Sequence, residues 1–183
     1  MKKLLLSSVV LGLGAISVAS ASLLSDAIQR GYDQGLTHYS TSSEFRAYDS
    51  LRRDEASKFF VQFTDTQGYH TNAGGNCSFS DEYSAISDLR SYVRTACEYG
   101  ILNGANGKFY PDQKLTNAQA VAVVVRILDG KQSESGAHRA DNYYTRARSL
   151  GLDVSSFYDK DAATTRGDVM TLLYAASTNT GES

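Results

Sequence analysis

Apolar side chains recur at helical spacing in six stretches of the chain, and more polar residues separate these stretches. An apolar residue at every third or fourth position places a hydrophobic stripe along one face of an α-helix. The six stripes occupy residues 24–32, 56–63, 89–97, 121–128, 140–147 and 169–176. This pattern predicts six short helices packed in an all-α domain.

The first, third and fifth of the predicted helices end in the same way. Each is followed by a glycine and then an aliphatic residue: Gly35-Leu36, Gly100-Ile101 and Gly151-Leu152. Glycine suits the left-handed backbone that ends many helices, because it has no Cβ to clash. The shared ending predicts that these three helices open three related units.

The second, fourth and sixth predicted helices begin on related tetrapeptides. These are RRDE at 52–55, TNAQ at 116–119 and TRGD at 165–168. Thr116 and Thr165 each stand three residues before a side chain, Gln119 or Asp168, that can complete a helix cap. The recurrence predicts three helix–loop–helix repeats that fold as one domain.

The loop before each of these helices carries an aromatic ring. The rings stand eight residues before the second member of each tetrapeptide, at Phe45, Phe109 and Tyr158. The shared register is a further sign of three related units. The chain's single proline, Pro111, restricts the backbone of Tyr110 and gives this loop a rigid exit that turns Phe109 inward.

The N-terminus has the pattern of a secretory signal peptide. Lys2 and Lys3 precede the mostly apolar residues 4–18, and a small-residue cleavage site follows at 19–21. A retained membrane anchor is the alternative, although the apolar run is short for a membrane span. We therefore expect residues 1–21 to be removed from a protein that is exported to the cell surface or envelope.

The predicted mature chain is a single domain at 22–178 followed by a flexible tail at 179–183. Its repeats are predicted at 22–65, 77–130 and 138–178, with polar, glycine-rich segments between them. No second apolar run is long enough to span a membrane. The mature domain is therefore expected to lie outside the bilayer.

The net charge argues against a nucleic-acid partner, and the cysteine content predicts a disulfide. Loss of Lys2 and Lys3 lowers the 18 basic residues to 16, against 20 acidic ones, so that the composition gives no basic surface for nucleic acid. In an exported chain, Cys77 and Cys97 predict an intramolecular disulfide. Two free thiols packed in a core are the alternative.

Residues 77–128 resemble an S-layer homology repeat. The matching features are Phe79-Ser80-Asp81 as the F-x-D opening, Gly100-Ile101 at the helix end, Gly107, Phe109 and Pro111 in the G-x-F-x-P loop, and 116–119 as the T-R-A-E helix start. Residues 51–63 and 164–177 are similar to the second halves of two further repeats. The resemblance implies three repeats packed as a pseudo-threefold domain around a central helical bundle.

The resemblance also implies a function. Members of this family attach exported proteins to the bacterial envelope by binding anionic, often pyruvylated, cell-wall polysaccharide in grooves between repeats. The binding arginine is the second member of the tetrapeptide, which implies Arg53 and Arg166 here, with Asn117 as a departure in the middle repeat. The glycines that let the ligand approach the backbone correspond to Gly35, Gly100 and Gly151.

A second departure concerns tryptophan, which the family commonly carries near the start of the first helix of each repeat. This chain has no tryptophan, and the corresponding places are filled by Leu23, Asp88 and Arg139. A groove without those rings is expected to bind a different glycan or none.

The chemistry of the arginines can be argued without the family. An arginine in the first turn of a helix adds a fork of donors to the free N–H groups and the positive end of the helix, which together suit a carboxylate or a phosphate. The alternative is that Arg53 and Arg166 pair with Asp or Glu and hold the repeats in place. Asn117 has its own structural explanation, because asparagine is favoured near helix starts.

The sequence contains no motif for catalysis, a metal or a cofactor. The three histidines, His38, His70 and His138, lie in no metal-binding or triad spacing. We therefore expect a non-catalytic module that binds cell-wall polysaccharide. The alternative is a repeat-built module for protein interaction or surface assembly, with other envelope proteins or further copies of the chain as partners.

Overall fold

The computed structural model describes residues 15–69 and 77–179, with side chains from residue 21 onward. Within these residues there are seven α-helices and no β-strand, so the prediction of an all-α chain is confirmed. The helices are α1 (Ala15–Asp33), α2 (Ser42–Phe45), α3 (Arg53–Gln67), α4 (Arg90–Glu98), α5 (Asn117–Asp129), α6 (Asp141–Ser149) and α7 (Arg166–Asn179). Three short 3₁₀ turns lie at Glu82–Ser84, Ser87–Leu89 and Ser155–Phe157.

The six predicted helices correspond to α1 and α3 to α7. Most of the predicted signal peptide lies outside the described residues, as do 70–76 and 180–183. Helix α1 begins within the predicted signal peptide, at Ala15, and α7 extends one residue into the predicted tail, to Asn179. Among the helices described, none is both long enough and apolar enough to cross a membrane.

Helices α1, α4 and α6 share the predicted glycine ending. The backbone φ is +75° at Gly35, +71° at Gly100 and +76° at Gly151, which confirms the left-handed conformation at all three. After each glycine, the N–H of the aliphatic residue donates to a carbonyl five positions earlier in the preceding helix, and its side chain is buried. This ending satisfies carbonyls that a helix terminus leaves open.

The long helices pack between units rather than within them. Helix α3 packs against α4, α5 against α6, and α7 against α1. Each contact joins the second helix of one predicted unit to the first helix of the next, and the last contact returns to the first unit. Helix α5 lies deepest, with apolar residues buried on all sides from Ala118 to Ile127.

Backbone hydrogen bonds at the starts of α3, α5 and α7 also join the first unit to the second, the second to the third and the third to the first. We call this closed set of contacts the circuit. Leu115 N–H donates to Leu51 O, Thr164 N–H donates to Leu115 O, and Leu51 N–H donates to Thr164 O, with N···O distances of 2.8, 2.9 and 3.0 Å. The three residues occupy the same place before their helices, and all three are fully buried. Each unit therefore holds the next one through its backbone as well as through its core.

The loops before these helices are alike in the first two units and differ in the third. Phe109 is fully buried, as predicted, and so is Phe45; the next residues, Tyr110 and Arg46, both have positive φ. In the third unit Tyr158 is 84% exposed, and Phe157 is buried instead. Residues 155–157 form a 3₁₀ turn, which moves the inward position back by one residue.

A disulfide joins Cys77 to Cys97, as predicted. Cys97 lies in the last turn of α4, and Cys77 is the first described residue after the 70–76 gap. The bond therefore fixes the entry of the second unit to its first helix.

Candidate functional site

Arg53 lies at the first position of α3, and its side chain reaches across to the second unit. Its Nε donates to Phe109 O at 3.0 Å, its Nη2 donates to Asn103 O at 3.0 Å, and its Nη1 donates to the side-chain oxygen of Gln119 at 3.3 Å. The guanidinium also lies 4.8 Å from the centre of the Phe109 ring. Neutral acceptors and an aromatic ring therefore hold this cation.

Arg53 is buried without a neutralising carboxylate. Its residue is 6% exposed, and no Asp or Glu in the described part of the chain lies within ion-pairing distance of it. Burial lowers the pKa of Arg53 to about 10, and the more distant Asp81 opposes this shift. At neutral pH the side chain remains a cation, in surroundings that favour the approach of an anion.

Arg166 occupies the same place at the start of α7 but has a different partner. Its Nε donates to Phe45 O at 2.8 Å, and its Nη1 pairs with a carboxylate oxygen of Glu55 at 2.7 Å. The guanidinium lies over the rings of Phe45 and Phe59. Its charge is therefore neutralised between the third unit and the first, which is the geometry of the structural alternative for this residue.

Asn117 takes the corresponding place at the start of α5. Its side-chain N–H donates to Asp159 O at 2.8 Å, and the residue is buried. The amide of Asn117 thus makes the same kind of hydrogen bond to a loop carbonyl of the next unit that the two arginines make, but it carries no charge.

The fourth residue of each tetrapeptide explains why Arg53 lacks a partner. The arginine at the start of one unit's second helix contacts the fourth tetrapeptide residue of the next unit. Arg166 therefore pairs with Glu55, and Arg53 donates a hydrogen bond to Gln119. Glu55 and Gln119 occupy the same position in their tetrapeptides. The amide at 119 replaces the carboxylate at 55, and this one difference leaves Arg53 without a carboxylate in ion-pairing contact among the described residues.

A cavity of about 520 Å³ opens beside Arg53. It lies between the second unit and the start of the third, and residues of α5 and of the segment 130–140 form its walls. Its charged lining consists of the cations Arg53, Arg126, Lys131 and Arg139 and the carboxylates Glu134 and Asp161. The excess of fixed positive charge and the volume suit a small anionic group such as a carboxylated or phosphorylated sugar.

Three of these cations were not predicted as site residues. Arg126 is the one charged residue within the otherwise apolar stretch 120–128, which is a sequence signal for a special role. Arg139 stands where the S-layer homology family commonly has tryptophan. Lys131 gives no such signal, because it lies in a polar segment between two helices.

The predicted ligand-binding glycines share their backbone conformation but do not line this cavity. A side chain built at Gly35 would meet open space, whereas one at Gly151 would approach the amide of Asn179 at 3.2 Å. Gly104 is the glycine of the cavity wall, and a Cβ there would collide with Lys108 O at 2.3 Å. The structure therefore brings together Arg53 and a new set of residues, and it leaves the three predicted glycines apart.

The described part of the chain contains no group of three or more His, Cys, Asp or Glu side chains placed to hold a metal ion. Comparison with protein-family models gives no match, and comparison with curated proteins gives no significant match.

Proposed function

We propose that this protein is an exported, non-catalytic module that attaches to anionic cell-wall polysaccharide at the bacterial surface. The proposal includes a pseudo-threefold packing of three repeats similar to that of the S-layer homology family. Two lines of support are independent of each other: the circuit of contacts between units, and the chemistry of the cavity beside Arg53.

The circuit supports the proposed packing. Three chemically similar contacts connect the first unit to the second, the second to the third and the third to the first, both between helices and between backbone groups. Repeats related by a threefold axis would make such contacts. The resemblance of residues 77–128 to a single repeat of the family agrees with this arrangement.

The buried, uncompensated charge of Arg53 is the observation that carries the proposed activity. A buried cation without a countercharge is costly for folding, and a ligand that brings an anion removes that cost. The cavity gives such a ligand access to the arginine. We therefore assign the main ligand contact to Arg53, while roles for Arg166 and Asn117 stay predictions.

A protein-interaction or surface-assembly module is the second candidate. Exposed tyrosines favour it, since Tyr48, Tyr83 and Tyr158 are each at least 80% exposed. Tyrosine is common in protein interfaces because it combines a large apolar ring with a polar end. This candidate requires no polysaccharide.

Co-sedimentation with purified sacculi separates the two candidates. The mature protein should sediment with sacculi that carry their secondary polymer and remain in the supernatant when that polymer has been extracted. Binding should also weaken as salt is raised, because the proposed contact is between charges. Equal sedimentation with extracted and intact sacculi would contradict the proposed function.

A further inference from the structure

The cavity beside Arg53 contains an acidic side chain of the protein itself. Glu134 lies in the segment between α5 and α6, and its two carboxylate oxygens contact different arginines. Oε1 accepts from Arg126 at 3.3 Å, and Oε2 accepts from Nη2 of Arg139 at 2.6 Å. Two cations of the cavity wall thus share one carboxylate.

The two contacts of Glu134 differ in their surroundings. The side chain of Arg126 is 17% exposed and also donates to Tyr143 Oη and to Ile101 O, so this arginine is held in place without Glu134. The side chain of Arg139 is 85% exposed. Solvent weakens the pair with Arg139, so this is the contact that an incoming anion can replace at least cost, whereas the pair with Arg126 is more buried.

The segment 130–136 that carries Glu134, here called the strap, is a short loop bounded by two glycines. Gly130 and Gly136 both have positive φ, at +81° and +120°, and they stand on either side of Glu134. Between them the segment is held to α6 by Asn142, whose amide donates to Ser133 O at 2.8 Å. Release of the carboxylate would move this loop, whose contacts to α6 include the bond from Asn142.

We propose that Glu134 is an internal competitor for the anionic ligand. In the free protein its carboxylate occupies Arg126 and Arg139. The anionic group of the ligand exchanges with it, pairs with these arginines and with Arg53, and releases the strap 130–136. This inference rests on the proposed function, since it concerns regulation of the same cavity.

The structural alternative is that Glu134 positions the arginines for the ligand. The two roles predict opposite effects of Glu134→Gln, which keeps the size and the acceptor oxygen but removes the charge. A competitor predicts tighter binding, and a positioning residue predicts weaker binding. The matched control is Glu98→Gln, because Glu98 is exposed on α4, lies outside the cavity and changes the net charge of the protein by the same amount.

The test measures dissociation constants for purified sacculi that carry their secondary polymer, for the wild type and the variants Glu134→Gln, Glu98→Gln and Arg53→Ala. We expect Glu134→Gln to bind about two- to fivefold more tightly than Glu98→Gln, the range expected when the ligand no longer competes for the one solvent-exposed pair, that with Arg139. Amide hydrogen exchange at residues 131–136 should become faster when sacculi are added to the wild type.

The outcomes separate the two proposals. If Arg53→Ala weakens binding but Glu134→Gln binds no more tightly than Glu98→Gln, the competitor role is wrong and the proposed function stands. If no variant differs from the wild type and extracted sacculi bind equally well, the proposed function is wrong and the competitor role is overturned with it. Circular dichroism of each variant confirms that the comparison is between folded proteins.

Discussion

At the scale of single residues, small chemical differences at equivalent positions decide what each unit can do. Glu55 and Gln119 differ by one functional group, yet Arg166 is neutralised and Arg53 is not. The circuit of backbone hydrogen bonds likewise has one equivalent position in each unit, filled by Leu51, Leu115 and Thr164. Of these, only Thr164 carries a hydroxyl. Comparing the three units identifies these exceptions without reference to any other protein.

The hydroxyl of Thr164 should destabilise the fold. The residue is fully buried, and its Oγ1 has no hydrogen-bond partner among the residues described. A buried polar group without a partner costs about 1–3 kcal/mol. Thr164→Val keeps the shape and removes the hydroxyl, so it should raise the free energy of unfolding by about 1 kcal/mol in a denaturant titration.

Thr116→Val is the matched control for this prediction. The hydroxyl of Thr116 accepts from Gln119 N–H and caps α5, so its loss should lower the free energy of unfolding by about 1 kcal/mol. If both substitutions lower stability equally, the hydroxyl of Thr164 has a stabilising partner and the prediction is wrong.

At the scale of helices, the starts of α3, α5 and α7 act as connectors between units. Each presents a polar side chain to a loop carbonyl of the next unit: Arg53 to Phe109, Asn117 to Asp159 and Arg166 to Phe45. Of these three connectors, Arg53 is the one that lines the cavity, and it is a cation without an ion-pair partner among the described residues. We therefore expect stability and the proposed binding to be opposed at the start of α3.

Gln119→Glu tests this opposition. The new carboxylate should pair with Arg53 as Glu55 pairs with Arg166, and it lies in the first turn of α5, where negative charge is favourable. We expect the free energy of unfolding to rise by up to about 1 kcal/mol and polymer binding to weaken severalfold. A double-mutant cycle with Arg53→Ala isolates the pair, and zero coupling energy would contradict the account.

The disulfide is a second connector, within the second unit. Replacing both Cys77 and Cys97 with serine should lower the free energy of unfolding by about 3 kcal/mol, because the unfolded chain gains the freedom of a loop that spans 20 residues. Denaturant titration measures the loss, and reduction of the wild type is the control. Intact-mass analysis that finds two alkylated thiols in the unreduced protein would show that the bond does not form.

The helices and their endings were predictable because they depend on neighbours in sequence. The apolar stripes, the three glycine endings and the capping pairs at Thr116 and Thr165 are all present in the structure. The eight-residue register alone does not identify the buried ring of the third unit, because the 3₁₀ turn at 155–157 places Phe157, and not Tyr158, in the core.

The candidate site was predictable in part. The tetrapeptide pattern identified Arg53 as a candidate site residue. It could not show that Arg166 has an ion-pair partner and Arg53 does not, because that depends on which side chain contacts each arginine in the folded protein. Glu55 and Arg166 are 111 positions apart in the chain, so their pairing follows from the circuit of units and not from local sequence. The same holds for Arg126 and Arg139, which come together through Glu134.

At the scale of the whole molecule, the circuit of contacts makes each unit depend on the other two. Helix α5 begins with backbone N–H groups of Asn117 and Ala118 bonded to carbonyls of the third unit, and α3 begins with those of Arg53 and Asp54 bonded to carbonyls of the second unit. A unit removed from the circuit loses these partners and exposes its apolar stripe.

The fold should therefore unfold in one transition. The heat-induced loss of circular dichroism should follow a single sigmoid, with coincident signals from helices and from tyrosine side chains. The isolated segment 77–130 should be largely unfolded even with its disulfide intact. A fragment of that length with a cooperative transition of its own would contradict the dependence between units.

The central claim is that Arg53, buried without a countercharge, holds the anionic polymer, and the affinities of two arginine variants test it most directly. Dissociation constants for sacculi with their secondary polymer should rise at least tenfold in Arg53→Ala, since a hydrogen bond to a charged group contributes about 1.5–3 kcal/mol. They should rise less than threefold in Arg166→Ala, whose arginine is already paired with Glu55. A folded Arg53→Ala variant that binds as tightly as the wild type would contradict the account.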